Sequence, residues 1–178
     1  MLKLIFTLAL CQLLLACSTV PDSPAQSNWA VSGKIGITTP TQSVAGFILW
    51  KQQGKDFDIY VSGPFSVGST RIQGNIASIS LTQGGKTVEG INPQQLIYEE
   101  LGWFFPIENL PFWLKGQVAP YSPAQRDMNK NKQLSQIKQD KWKVEFLRYN
   151  DYYALPERIR ISQGQWKFLV VIKHWEFD

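Results

Sequence analysis

Residues 29–51 read WAVSGKIGITTPTQSVAGFILWK, and this stretch decides the fold class. Apolar residues alternate with polar or small ones from Trp29 to Thr38 and again from Ser43 to Lys51, on either side of the turn signal Thr39-Pro40-Thr41. Alternation over such short segments is typical of β-strands with one buried face. Because a connection of a few residues joins antiparallel neighbours, the stretch predicts a β-hairpin.

The same alternation recurs along much of the remaining chain. Short turn signals, such as Gln83-Gly84-Gly85-Lys86, separate several of the segments and favour an antiparallel meander over helical crossovers. The further predicted strands are Lys55–Ser62, Ser69–Asn75, Ile76–Thr82, Trp142–Tyr149, Arg158–Ser162 and Trp166–Trp175.

The middle of the chain is predicted to be helical. Asn92 suits an N-cap, Pro93 suits the first helical position, and Gly102 ends a helix over Gln94–Leu101. A second, shorter helix is predicted over Glu108–Lys115.

A polar segment, Ser122–Gln139, is predicted to connect this helical part to the last strands. Strands on both sides of a helical insertion indicate a mainly β protein with an α insertion. We expect one curved antiparallel sheet or open barrel over residues 29–178, with the helices covering one mouth or plugging the interior.

The N-terminus has the layout of a cleaved export signal. Lys3 supplies the positive start, Leu4 to Leu15 form an apolar run of 12 residues, and a polar segment follows. The run is shorter than the roughly 20 residues that span a bilayer. Its end, Leu14-Leu15-Ala16-Cys17, resembles a bacterial lipobox. The alternative is an ordinary cleaved signal with an incidental cysteine.

If the lipobox is genuine, residues 1–16 are removed and Cys17 carries a diacylglycerol thioether and an N-acyl chain. Residues 17–28 then form an acylated flexible tether, rich in Ser, Thr and Pro. Because Cys11 leaves with the signal and Cys17 is acylated, the mature chain has no disulfide or zinc framework. Removing Lys3 leaves 17 basic and 14 acidic residues, a balance that gives little support for nucleic-acid binding.

Enzymatic motifs are absent from the sequence. His174 is the single histidine, it lies in an apolar predicted strand, and no GxSxG or HExxH pattern accompanies it. We therefore expect no catalytic site, no metal and no cofactor beyond the lipid on Cys17.

Four spaced motifs stand out along the chain: Trp29-x-Val31-x-Gly33-Lys34-Ile35-Gly36, Leu101-Gly102-x₃-Pro106-Ile107-x₂-Leu110-x₂-Trp113-Leu114-x-Gly116, Trp142-Lys143-Val144 and Leu155-Pro156-x-Arg158-Ile159. In their order and spacing they resemble the LolB family, the outer-membrane lipoprotein receptors of Gram-negative bacteria. The resemblance implies an unclosed antiparallel β-barrel with a helical lid. It also implies a monomeric receptor that takes triacylated lipoproteins from the periplasmic carrier LolA and inserts them into the inner leaflet of the outer membrane. Ser18, directly after the modified cysteine, fits outer-membrane sorting.

A lipid-handling cavity needs an apolar lining, which the aromatic residues supply. The residues predicted to form the cavity or its lid are Trp29, Trp50, Trp103, Phe104, Phe105, Leu110, Trp113 and Trp142. The alternative is that these side chains fill a solid core, and periodicity does not separate the two.

The segment from Ser62 to Ser69 is predicted to join two strands, yet it carries Phe65 and Val67. In the family a corresponding loop presents an apolar side chain that enters the membrane, so the resemblance implies this role for Phe65 or Val67, with Phe65 favoured. The spacing here is two residues longer than in the family. At least one of the two is expected to lie under the loop as local core.

Two other functions remain open at this stage. A lipoprotein with a solid core could act as a structural or assembly scaffold at the outer membrane, and a lipocalin-type barrel could bind a small ligand. The positive bias of Lys130, Lys132, Lys138, Lys141, Lys143 and Arg148 could speed encounter with an acidic carrier or simply mark a solvated face near anionic lipid.

Overall fold

The computed structural model describes residues 28–63, 68–152 and 154–177. Within these ranges, eleven strands form one antiparallel sheet. The strands are β1 (Trp29–Thr38), β2 (Ser43–Gln53), β3 (Asp56–Ser62), β4 (Thr70–Gly74), β5 (Ile79–Gln83), β6 (Lys86–Gly90), β7 (Ala124–Met128), β8 (Leu134–Gln139), β9 (Trp142–Tyr149), β10 (Pro156–Gln163) and β11 (Trp166–Phe177).

The strand order is β6-β5-β4-β3-β2-β1-β11-β10-β9-β8-β7. The first and last strands pair at the centre of the sheet, where Ile35 lies opposite Val170, so two meanders are joined into one surface. β6 and β7 are the two outer strands in this order, and the barrel is unclosed between them. The predicted fold class, an unclosed antiparallel barrel with helices, is confirmed.

Helix α1 (Pro93–Leu101) follows β6 and has the predicted caps. The Asn92 side chain accepts a hydrogen bond from the backbone N–H of Gln95 at 3.1 Å, which satisfies one of the free N–H groups at the helix start. Gly102 adopts φ 67°, and its N–H donates to the carbonyl of Tyr98. This left-handed conformation favours glycine and ends the helix.

Helix α2 (Leu110–Trp113) is shorter than the predicted Glu108–Lys115, because turns flank it on both sides. All four of its residues are buried. Within the described residues, no helix is long and apolar enough to cross a bilayer.

The polar segment Ser122–Gln139 was predicted to be a connection, and this prediction is wrong: it contains the β7–β8 hairpin. The pattern is weak because the hairpin buries little, with Ile137 and Gln139 as its fully buried side chains. A second error has the same cause, since β6 is polar and was not predicted. β5 begins at Ile79 rather than Ile76, because the Asn75 side chain accepts from two following N–H groups and forms a turn.

On β2 the side chains that face the sheet interior grow in size along the strand. They run from Val44 and Gly46 through Ile48 to Trp50. We call the end of the sheet at the β1–β2 turn the cavity end and the opposite end the packed end. At the packed end the ring of Trp29 lies 6.0 Å from that of Trp50.

The described chain enters the sheet at the packed end. The backbone N–H of Gly54, in the β2–β3 turn, donates to the side chain of Asn28 at 3.2 Å. The first strand therefore starts beside the β2–β3 turn and runs toward the cavity end.

Candidate functional site

An apolar cavity of about 710 Å³ lies at the cavity end. Its walls come from β1 to β5, the last turn of α1 and Trp103, and Glu100 is the one charged residue among the described lining residues. The lining consists of Ile35, Ile37, Gln42, Val44, Ala45, Gly46, Val61, Ser62, Gly63, Gly68, Thr70, Gln83, Glu100, Leu101 and Trp103. A largely apolar wall with few polar groups suits an apolar ligand better than a polar one.

The cavity exists because small residues occupy this end of the sheet. A Cβ added to Gly46 would overlap the backbone carbonyl of Ser62, so the wall is built here from two closely approaching backbones. Val44 points to the same side and is 41% exposed, because no described side chain fills the space in front of it.

Leu101 and Trp103 cover one side of the cavity. Both are half-buried: Leu101 is the last residue of α1 and Trp103 follows two residues later. Helix α1 packs against β5 and β6. A shift of α1 and the segment behind it would therefore move these two side chains relative to the cavity. Of the eight residues predicted to form the cavity or lid, Trp103 lies on this cavity.

The structure brings six other predicted residues together in the packed interior. Phe105 contacts residues of two strands: its ring lies 6.4 Å from that of Trp50 on β2 and 5.3 Å from that of Phe168 on β11. The six residues Trp29, Trp50, Phe105, Leu110, Trp113 and Trp142 are all at most 6% exposed. They pack on one another in this conformation, and their role toward acyl chains stays a prediction.

Phe104, the eighth predicted residue, lies between these regions. Its ring stacks on Trp142 at 6.0 Å and 10°, while its other side borders a wide groove of about 700 Å³ together with Tyr98 and Trp166. The groove also contains Glu108 and amide side chains, so it is more polar than the cavity at the sheet end.

Gln139 holds residues 113–122, which contain and follow the end of α2, to the sheet, although no sequence motif marks it. Its Oε1 accepts from the indole N–H of Trp113 at 3.0 Å and from the backbone N–H of Ala119 at 3.2 Å. Its Nε2 donates to the carbonyls of Ala119 at 2.6 Å and Ser122 at 2.8 Å. The available signal was its position two residues after buried Ile137, on the same face of β8.

Lys115 is a buried cation at the end of the helical segment. Its Nζ lies 5.8 Å from the centre of the Trp29 ring, within the range of a cation–π contact. Burial lowers the pKa of Lys115 to about 8. Protonated Lys115 therefore destabilises the packed end relative to its neutral form.

The two predictions that concern membrane attachment fall on residues outside those described. Cys17 precedes residue 28, and Phe65 and Val67 lie between residues 63 and 68. Gly63 and Gly68, which flank the second segment, both line the cavity. The proposed membrane loop therefore starts and ends at the cavity rim, and its role stays a prediction.

The predicted basic region divides into separate sites. Lys130 and Lys132 lie near the β7–β8 turn, whereas Lys138, Lys141 and Lys143 surround the β8–β9 turn. Two of the six cations are paired: Lys143 Nζ lies 3.0 Å from Glu145, and Arg148 contacts Glu157 at 2.7 Å.

His174 is exposed on β11. Within the part of the chain that the structure describes, no three His, Cys, Asp or Glu side chains lie close enough together to hold a metal ion.

Two solved structures share the fold of this unclosed sheet with its helices. A LolA superfamily protein from Nitrosomonas europaea superposes with a TM-score of 0.52 at 9% identity, covering 86% of this chain and 87% of that one. A DUF1329 family protein from Desulfovibrio piger gives 0.55 at 8% identity, covering 88% and 87%. At such low identity these similarities show the fold alone.

Sequence comparison identifies the family. The family model for the outer membrane lipoprotein LolB matches residues 27–175. The outer-membrane lipoprotein LolB of Stutzerimonas stutzeri is 37% identical over 151 residues, covering 83% of this chain and 73% of its own. That of Marinomonas sp. is 32% identical, covering 94% of each chain. The chain belongs to the LolB family, which confirms the predicted outer-membrane location and lipoprotein-receptor role.

Proposed function

We propose that the protein accepts triacylated lipoproteins from the soluble periplasmic carrier LolA and inserts them into the inner leaflet of the outer membrane. The apolar cavity at the cavity end, in a chain of the LolB family, carries this proposal. Covalently attached acyl chains on Cys17 hold the receptor in the acceptor membrane.

The cargo enters this cavity through its acyl chains. The lining supplies branched aliphatic side chains and Trp103, which exclude water without forming directional contacts. Such a surface accepts chains of different length and position, as a receptor for many lipoproteins requires. Leu101 and Trp103 move with α1 to admit them.

The direction of transfer comes from differences in affinity. Each step proceeds because the acyl chains bind this cavity more favourably than the donor's, and the bilayer more favourably still. A difference of about 1.4 kcal/mol per step gives a tenfold bias. The cycle then needs neither nucleotide hydrolysis nor covalent chemistry.

Phe65 or Val67 brings the cavity rim into the bilayer. Gly63 and Gly68 border the cavity, so a loop between them that enters lipid places the opening at the membrane surface. Insertion of one Phe ring contributes about 1.5–3 kcal/mol, which orients a domain that is already anchored.

Transfer from a loaded carrier tests the proposal. The mature acylated protein in phospholipid vesicles is mixed with LolA carrying a labelled triacylated lipoprotein. The label bound to the receptor and the label inserted in the lipid are measured separately. We expect wild-type protein to deliver cargo, and Phe65→Glu or Val67→Glu to accept it without releasing it to lipid. Ile91→Glu, which changes an exposed apolar residue after β6, is the matched control.

Absence of any transfer by a folded wild-type protein would contradict the proposal and favour a scaffold that holds no lipid cargo. Release to lipid at the wild-type level by both Phe65→Glu and Val67→Glu would contradict membrane insertion by this loop.

A further inference from the structure

The outer face of the four central strands carries an unusual concentration of positive charge. β2, β1, β11 and β10 are consecutive in the sheet and contain six Lys or Arg residues but only two Asp or Glu residues. These strands therefore account for the whole formal net charge of +4 of the chain. Outside these four strands the remaining 12 basic and 12 acidic residues balance.

Apolar side chains alternate with these charges across the strands. In register, Phe47 of β2 lies opposite Lys34 of β1, which lies opposite Val171 of β11, which lies opposite Arg158 of β10. Phe47 is 52% exposed and, two residues along β2, Leu49 is 38% exposed. We call Phe47, Lys34, Val171 and Arg158 the outer row.

The two cations of the outer row have no ion pair among the described residues, and both are exposed. Two neighbouring arginines are paired instead: Arg160 of β10 lies 3.5 Å from Glu145, and Arg71 of β4 is paired with Asp58 at 2.6 Å. Lys34 and Arg158 therefore leave their charge available to an external anion.

We infer that the outer row is a second membrane-contact surface, which binds the phosphates of an anionic phospholipid surface through Lys34 and Arg158 while Phe47 enters the interfacial layer. A bilayer presents phosphates directly above apolar chains, so alternating cations and apolar side chains match both layers. The bilayer is always close, because the protein is an outer-membrane lipoprotein. Phe47 is also the register partner of Ser62, the last residue of β3 before the proposed membrane loop.

This contact rests on the outer-membrane location and not on lipoprotein transfer. It lies on the face of the sheet opposite the cavity, because Phe47 points away from the interior that Ile48 and Trp50 face. The domain would therefore meet lipid along its flank as well as at the cavity rim.

The test uses the full-length acylated protein in vesicles of phosphatidylethanolamine and phosphatidylglycerol. A fluorophore on Ser32→Cys, which lies opposite Leu49, reports on the outer row; one on Thr87→Cys, exposed on β6, is the matched control. Protein without an introduced cysteine must take up no label, which also checks that the Cys17 thiol is blocked. Quenching by brominated phospholipid measures contact with the bilayer.

We expect stronger quenching at residue 32 than at residue 87, and less in vesicles of phosphatidylcholine. Each Lys or Arg near an anionic surface contributes roughly a fivefold change in binding. Lys34→Glu combined with Arg158→Glu should therefore weaken binding of this face to the bilayer by about 25-fold, seen as a loss of quenching at residue 32. The matched pair Lys130→Glu with Lys132→Glu changes the net charge equally and should leave it unchanged.

Equal quenching at residues 32 and 87 would overturn the inference. So would a loss of quenching at residue 32 in the Lys130→Glu, Lys132→Glu variant as large as that in the Lys34→Glu, Arg158→Glu variant. If the Lys34→Glu, Arg158→Glu variant is quenched at residue 32 as strongly as wild type but no longer binds an acidic carrier, this face docks protein rather than lipid. Lipoprotein transfer measured in the same vesicles separates the two proposals, because lost transfer with normal quenching contradicts only the proposed function.

Discussion

The two ends of the sheet use the same strands for opposite purposes. At the packed end, Trp29, Trp50 and Trp175 fill the interior, with ring centres 5.6 to 6.0 Å apart for the pairs that include Trp29. At the cavity end, Val44 and Gly46 leave a space of about 710 Å³. One strand, β2, supplies both arrangements within seven residues.

The difference shows how a small domain can hold a cavity without losing its stability. Protein interiors are packed as densely as organic crystals, so an empty apolar space has a real cost in lost contacts. Here large aromatic residues concentrate the packing at one end, and the other end can remain open. Stability and binding are thus assigned to different parts of one sheet.

Trp50→Ala should have the largest effect, because it removes the centre of the packed end. Trp50 is 1% exposed, and its indole N–H donates to Gln52 at 2.9 Å. Truncation of such a residue costs about 3–5 kcal/mol of unfolding free energy. Urea unfolding measures this, and Val44→Ala at the cavity end should cost less than about 1 kcal/mol. Similar losses for the two variants would contradict the division between the ends.

Gln139→Leu should have the next largest effect on stability, because it removes the hydrogen bonds that hold residues 113–122 to β8. The change leaves the Trp113 indole N–H and both backbone polar groups of Ala119 without this partner. Buried groups left unsatisfied in this way cost roughly 2–4 kcal/mol in total. In the same urea assay Gln136→Leu, which loses a surface contact to Asp127, should change stability by no more than about 0.5 kcal/mol.

Val61→Trp should fill the cavity end and make it resemble the packed end. Because the new ring has space, we expect stability to change by less than about 1 kcal/mol. Binding of a fluorescent fatty acid should weaken about tenfold, equivalent to roughly 1.4 kcal/mol. Val171→Trp adds the same ring on the outer face and should leave fatty-acid binding intact. Undiminished binding in Val61→Trp would place the ligand elsewhere.

A change of pH should perturb the packed end slightly. Burial lowers the pKa of Lys115 to about 8, so above this pH the unfolded chain binds more protons at this residue than the folded one. Unfolding free energy should therefore rise with pH from 8 to about 9.5, by at most about 1.4 kcal/mol per pH unit.

The upper limit of that window comes from tyrosine. Burial raises the pKa of Tyr149 to about 12, so its contribution to stability falls as pH rises above about 10, the ordinary value. Lys115→Met should remove the rise below this limit, and Lys55→Met, an exposed control, should retain it. An unchanged slope in Lys115→Met would assign the effect to another group.

Local signals predicted those elements whose geometry is determined by neighbouring residues. The start and end of α1 were predicted because Asn92, Pro93 and Gly102 act within one turn of the helix. The β7–β8 hairpin was missed because it is polar on most positions and is stabilised by pairing with β9. Its hydrophobic pattern carries too little information to identify a strand.

The division of the aromatic residues between cavity and core was not predictable for a different reason. Trp50 and Trp103 are the same residue type and both lie in apolar surroundings, yet one is buried in the packed interior and the other borders the cavity. This depends on how the curved sheet places distant strands, which a single sequence does not encode in any local pattern. Gln139 was missed for the same reason, because its four partners come from residues 113–122.

The hydrogen bond between Asn28 and Gly54 fixes the point at which the predicted tether, residues 17–28, would join the domain. Eleven residue steps separate Cys17 from Asn28, and a chain of that length reaches at most about 40 Å. The ten residues of β1 extend about 33 Å from that point to the opposite rim. A tether anchored at Cys17, as the lipobox predicts, is therefore only slightly longer than β1. The cavity end then faces the bilayer either when this tether is almost fully extended beside the domain or when the domain lies along the membrane.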